Sequence, residues 1–310
     1  MNAAAKLGGF ALVAGLMFGG TYGIGRLTGP VGAAPDTAHG SSQHGAAPTP
    51  ASAELPAGGL MVAQDGYRVD LISGHAAAGT PEDFAFRIVD PHGAPVTSFT
   101  PTHDKPLHLI VVRRDLTGFQ HLHPEMGADG TWRIPLTFPT AGDYRAFVDF
   151  TPRGQSEAIT LGADVAVAGA YTPAALPTPA RTVTIDGYTV RLDGDLVPGR
   201  TNELTFTVSK AGQPVTDLQP YLAAYGHLVA LRHGDLAYLH VHPDGQPGDG
   251  RTGPGPRITF FATVPSVGNY GLFLDFRHEG VVRTVAFPAT VTATTTATDA
   301  GRPHDDPEEK

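Results

Sequence analysis

The chain has 310 residues, 41% of them hydrophobic, with 39 glycines and 28 prolines, which suits about two turn-rich domains better than long helices. Its 21 basic and 30 acidic residues leave a net charge of −9, which excludes the basic footprint that nucleic acid requires. Cysteine is absent, which excludes disulfides, thiolate zinc sites, blue-copper sites and cysteine nucleophiles together.

Lys6 precedes a weakly apolar run from Leu7 to Gly25 that stops at Arg26. As a helix this run rises ~28 Å, close to the ~30 Å of a bilayer hydrocarbon core. Residues 1–32 are therefore expected to form an N-terminal membrane anchor, with a transmembrane helix over about 7–25. The alternative is a secretory signal cleaved near Val31-Gly32-Ala33. Both readings put the bulk of the chain outside the cytoplasm, as a single-pass protein of the cell membrane or as a secreted one. Residues 33–57 are rich in Ala, Pro, Ser, Thr and Gly, hold His39 and His44, and are expected to be a disordered tether because they have little apolar surface to bury.

Beyond the tether the sequence repeats itself at an offset of about 120 residues. Asp65-Gly66-Tyr67 returns as Asp186-Gly187-Tyr188, and Pro95-Val96-Thr97 as Pro214-Val215-Thr216. The run His108 to Arg113 returns as His227 to Arg232, and His121-Leu122-His123-Pro124 as His240-Val241-His242-Pro243. Gly142-Asp143-Tyr144 with Phe147-Val148-Asp149-Phe150 returns as Gly268-Asn269-Tyr270 with Phe273-Leu274-Asp275-Phe276. The copies occupy 58–168 and 182–292, joined by a Pro-rich linker, 169–181, and followed by an acidic tail, 293–310, expected to be disordered. Within each copy, short runs of β-branched and aromatic residues are bounded by Gly, Pro and Asp. The fold class predicted is all-β: two tandem antiparallel immunoglobulin-like sandwiches, without the Cys and Trp hallmarks of antibody domains.

The histidines carry the chemistry. His108, His121 and His123 in the first copy match His227, His240 and His242 in the second, with the same spacing, 121 − 108 = 240 − 227 and 123 − 121 = 242 − 240. Residues i and i+2 of a strand share a face, so His121 and His123 project together. A hairpin pairing 107–113 with 119–123, in the register that sets His108 opposite His123, adds the third imidazole to that face. Three neutral imidazoles can converge on one zinc or copper ion, with Asp149 or Asp275 as a fourth ligand or as the partner that fixes a ring's tautomer. The competing account is structural: the rings hydrogen-bond one another or an aspartate, and duplication copies that network as faithfully as it would a site. His39, His44, His103 and His233 lack matched counterparts and are expected to be bystanders. Tyr144, Phe147, Phe150 and their counterparts read as core, and 244–256 as a Gly/Pro-rich insertion.

On His108 to Arg113, Asp115 to Pro124, Gly226 to Leu231 and His240 to Pro243, the chain resembles a group of actinobacterial membrane-anchored or secreted proteins of unassigned activity, with twin Ig-like domains and His-x-His-Pro motifs. The resemblance covers the anchor and both repeats; it implies an extracytoplasmic compartment and this architecture, and the group is associated with heavy-metal handling. His240-Val241-His242 also resembles the copper-ligand tripeptide of copper–zinc superoxide dismutase, but over three residues only, and that activity is not carried over. Scarce methionine argues against a Met-cluster Cu(I) carrier, and no Gly-x-Ser-x-Gly, P-loop or dinucleotide motif is present. The sequence thus predicts a non-enzymatic, membrane-tethered protein with a three-His copper or zinc site in each repeat. The alternatives are a metal-free structural or partner-binding envelope module and a metalloenzyme. Apart from the membrane, the sequence indicates no partner.

Overall fold

The computed structural model describes residues 57–239 and 241–293, and of His242 the backbone alone. The anchor run 7–25, the tether up to residue 56, His240 and the tail from 294 onward lie outside the described residues. Among the described residues there is no helix, and so none long and apolar enough to cross a membrane.

The first repeat consists of β1 (Ala63–Gln64), β2 (Tyr67–Leu71), β3 (His75–Ala77), β4 (Pro81–Val89), β5 (Phe99–Thr100), β6 (Leu107–Arg113), β7 (Gln120–Leu122), β8 (Glu125–Met126), β9 (Thr131–Thr137), β10 (Gly142–Pro152) and β11 (Ile159–Ala168). One sheet runs β1-β2-β4-β9-β8, the other β3-β11-β10-β6-β7 with β5 at the end of β10. Every pairing is antiparallel except that of β3 with β11. The second repeat consists of β12 (Thr182–Ile185), β13 (Tyr188–Asp193), β14 (Thr201–Lys210), β15 (Gln213–Pro214), β16 (Gly226–Arg232), β17 (Tyr238–Leu239), β18 (Val241–Pro243), β19 (Arg257–Thr263), β20 (Gly268–His278) and β21 (Val281–Val291). Its sheets run β12-β13-β14-β19-β18, with β15 on β14, and β17-β16-β20-β21. The chain is therefore two tandem β-sandwiches.

Period-two alternation decides which side chains fill each sandwich. Leu107, Leu109 and Val111 of β6 and Tyr144, Ala146, Val148 and Phe150 of β10 enter the first core. Leu228 and Ala230 of β16 and Tyr270, Leu272, Leu274 and Phe276 of β20 enter the second. The intervening residues point out of their own sandwich and into each other. Ile110, Val112 and Phe147 pack with Val229, Leu231, Leu236, Tyr238 and Phe273 in a third buried cluster. β6 is buried at all seven positions because both of its faces are covered, one by its own sandwich and one by the other repeat. Phe147 and Phe273 thus correct one expectation: they are core residues of the interface between repeats, not of a single sandwich. The two repeats belong to one compact unit.

The residues leading into the first repeat seal one flank of this interface. Gly59 N–H donates to Thr160 O at 2.9 Å, Gly162 N–H to Met61 O at 2.9 Å, and Tyr238 N–H of the second repeat to Gly58 O at 2.9 Å. The Arg145 guanidinium donates to Gly59 O, Leu60 O and Gly162 O. Gly59 adopts φ +73, and a Cβ there would lie 2.3 Å from Phe147 Cδ1, so only glycine fits.

Candidate metal centre

β6 and β7 pair with Ile110 opposite His121 and Leu109 opposite Leu122, the register that carries His108 opposite His123. The structure brings His108, His121 and His123 together: one nitrogen from each lies within 4.8 Å of the others. His108 Nδ1 is 3.1 Å from His121 Nε2 and 3.1 Å from His123 Nε2.

The far side of two of these rings is fixed, and by chemistry that sets the tautomer. His108 Nε2–H donates to Thr102 O at 2.9 Å, and a carbonyl can only accept. His121 Nδ1–H donates to the Asp275 carboxylate at 2.7 Å, a bond reaching from the first repeat to the second and almost wholly buried on both sides. With His121 neutral, the lone pairs of His108 Nδ1 and His121 Nε2 face each other across 3.1 Å; with both His121 nitrogens protonated, the same contact is an ordinary hydrogen bond from His121 to His108. Between two neutral rings the contact is unfavourable, and around a cation it is favourable. Bonds of ~2.0–2.1 Å place nitrogens ~3.3 Å apart in a tetrahedral set and ~2.9 Å apart in a square one, which brackets the observed spacing. Carbonyl and carboxylate partners on the outer nitrogens are the usual supports of metal-bound histidines.

Charge agrees with this geometry. Burial pushes the His108 and His123 imidazoles down to about 3, with the neighbouring His121 adding to the effect on both. Both rings are neutral near neutral pH, as metal ligation requires.

Thr102 O is aimed by a tight turn. Thr102 and Lys105 exchange both backbone hydrogen bonds around His103 (φ 49) and Asp104 (φ 61). The second repeat builds the same turn from Leu222 (φ 54) and Ala223 (φ 59) between Tyr221 and Ala224. Tyr221 O then accepts from His227 Nε2–H at 2.8 Å. Left-handed conformations cost non-glycine residues roughly 1–2 kcal/mol each. Neither turn uses the Asn-Gly that this geometry favours. Strain kept in both copies, each time to aim a carbonyl at a histidine, marks a constrained site.

The remaining candidates fall as follows. Asp149 pairs with His108 across β10 and β6 and accepts from Thr160 Oγ1 at 3.1 Å. Asp275 pairs with His227 across β20 and β16, but its carboxylate serves His121 of the other repeat and accepts from Thr284 Oγ1. The sequence assigned Asp275 to the histidines of its own repeat; the structure places its carboxylate on His121 of the other. His227 is pushed down to about 4, chiefly by burial, and its ring lies 6.2 Å from that of His121. His240 and the side chain of His242 lie outside the described residues; the backbone at His242 pairs with Phe261 of β19.

His103, expected to be a bystander, lies beside the cluster. Its ring lies 5.1 Å from that of His227 and 6.2 Å from that of His108, and it helps line a cavity of about 30 Å³ shared with His108, His121, His227, Asp149 and Tyr238. Such a volume has room for one or two waters. The signal was its place at the tip of a two-residue turn five residues before His108. His233 is exposed, as expected.

The family model described as Domain of unknown function (DUF8832) matches residues 62–167 and again 182–293. The chain belongs to that family. No curated protein matches it. Solved structures similar to it include a DUF4426 family protein from Pseudomonas aeruginosa PAO1, at 7% identity and TM-score 0.27, over 36% of this chain and 96% of that one. The Escherichia coli adhesin FdeC is similar at 18% identity and TM-score 0.23, over 77% and 66%. Yersinia pseudotuberculosis InvD is similar at 15% identity and TM-score 0.24, over 75% and 60%.

Proposed function

We propose that this DUF8832 protein is a membrane-tethered, extracytoplasmic metal-binding protein that holds a zinc or copper ion on His108, His121 and His123. The observation that carries the reading is the convergence of one nitrogen from each of the three rings within 4.8 Å of the others, with His108 and His121 each held from behind by an acceptor. Asp275 acts as a positioning residue: it fixes the His121 tautomer and makes the site depend on contact between the repeats. The donor set is three neutral imidazoles with no thiolate, which suits zinc and copper(II). Binding rather than turnover is the function proposed, and the Leu7–Gly25 run with its tether supports the compartment.

The test is metal titration of tag-free protein near neutral pH, with a competing chelator. At least one tight equivalent of Zn²⁺ or Cu²⁺ is expected, and His108→Ala removes one. A protein that binds neither ion tightly, yet loses stability on His123→Ala, belongs instead to the structural account, in which the three rings only hydrogen-bond one another. The compartment has its own test: protease added to intact cells should digest residues 58–310, and protection of both repeats overturns the topology.

A further inference from the structure

An open cleft of about 620 Å³ lies among β5, β8 and β9 of the first repeat, within the ~300–1,000 Å³ usual for small-molecule sites. Buried Phe99 and Trp132, packed edge to face at 5.3 Å, line it together with half-buried Met126. Lys105 and Arg153 supply two cations to its wall, and Glu125 one carboxylate. Arg153 Nε–H donates to Ser98 Oγ at 2.6 Å, but neither cation forms an ion pair among the described residues. Trp132 adds an orphaned donor: its indole N–H is buried and meets no acceptor among the described residues. Buried donors are nearly always paired, so this one stands out.

The second repeat treats the equivalent place differently. Ile258 pairs with Phe206 as Trp132 pairs with Phe86, and Leu218 matches Phe99. There the insertion 244–256 lies over the strands: Leu218 N–H donates to Pro254 O at 2.9 Å, and Val208 N–H to Pro256 O at 2.8 Å. The first repeat has only a short turn, closed by Gly127 N–H donating to Thr131 O at 2.8 Å. One copy thus covers an isoleucine with its own chain; the other leaves a cleft with an indole N–H and two unpaired cations.

We propose that this cleft binds a small organic monoanion, its charge held by Lys105 and Arg153 and its apolar body laid against Phe99, Met126 and Trp132. Two cations against Glu125 leave the wall a single positive charge, which a monocarboxylate neutralises and a polyanion would exceed. The proposal stands apart from the metal reading, so its test is run in EDTA.

Trp132 is the chain's single tryptophan, so its fluorescence reads the cleft. The probes are 3-phenylpropionate and octanoate, titrated into the full-length protein. A saturable change in Trp132 emission is expected with at least one of them. Binding of the matching uncharged amide should be weaker by roughly tenfold or more, because charge-assisted hydrogen bonds are the strong ones. Lys105→Gln combined with Arg153→Gln should weaken binding of the acid to a similar degree. No saturable change with either acid at millimolar concentration overturns the proposal. So does an amide that binds as well as its acid, or binding that the double variant leaves unchanged. Should the double variant fail to fold, the acid and amide compared on the wild type decide: preference for the acid supports the site, and equal affinity overturns it.

Discussion

The two repeats offer each other the same surface but finish it differently. In the repeated Phe-x-Asp-Phe stretches, Phe273 lies flat on Phe119, with ring centroids 4.0 Å apart and planes 3° apart. Its counterpart Phe147 meets Tyr238, the counterpart of Phe119, at 5.6 Å and 40°. The difference follows from what lies beside each pair. Gly59 and the chain around it wedge against Phe147, and Arg145 clamps that chain by two carbonyls, Gly59 O and Leu60 O, while also holding Gly162 O of β11. The residue matching Arg145 is Gly271, and among the described residues nothing comparable covers β21. Duplication gives an interface its symmetry, as in a homodimer joined into one chain. Connectivity breaks that symmetry, because only one repeat is entered through a segment free to lie across the joint. The three-histidine cluster inherits this intertwining, since an aspartate of one repeat orients a histidine of the other.

The sharpest way to break the comparison is to remove one half of the flat ring pair. Phe273→Ala should cost about 3–5 kcal/mol, the range for large buried aromatics, measured by denaturant unfolding. If the interface were incidental to the fold, the loss would stay near zero. Next is the cross-repeat carboxylate. Asp275→Asn, though in the second repeat, should weaken metal bound by the first repeat's histidines ~10–100-fold, the usual effect of an outer-shell partner, as read by chelator competition. An unchanged affinity would show that the sites are independent after all.

A smaller effect is expected from pH. His108 and His123 are held near 3 and His227 near 4 in the folded protein, against an ordinary 6.5. Below about 6.5 the unfolded chain takes up protons that the folded one refuses, so metal-free stability should fall from there towards pH 4. Thermal melts across that window test this, and flat melting temperatures count against buried neutral rings. The smallest effect expected is at the second repeat's turn. Ala223→Gly should stabilise by about 1 kcal/mol, by relieving the left-handed strain at φ 59. A loss of stability would mean that this backbone is not strained.

Much of this was legible in the residues. The His-x-His step, its distance from His108 and the strand alternation led to the hairpin register, because side-chain direction along a strand is local. The runs from His108 and from His227 also carried an unused signal. Four or five consecutive apolar residues in a strand mean burial on both faces, and so a partner for the second face. Asp275 was legible as a histidine's partner, but not as the partner of a histidine in the other repeat.

By itself, then, the sequence determined what is periodic or repeated: the all-β class, the two copies, the strands around the histidines and the three-ring face of β6 and β7. Pattern and spacing along one chain suffice for these, because each depends on neighbours within a hairpin. Only the tertiary structure decided how the copies face each other. It moved Phe147 and Phe273 from two cores into one interface, brought Asp275 to His121 and His103 to His227, and sealed one flank with Gly58–Met61. Such contacts join residues far apart in sequence, His121 and Asp275 by 154 positions. They are set by which apolar faces remain unpaired once each sandwich has closed, and no local pattern records that.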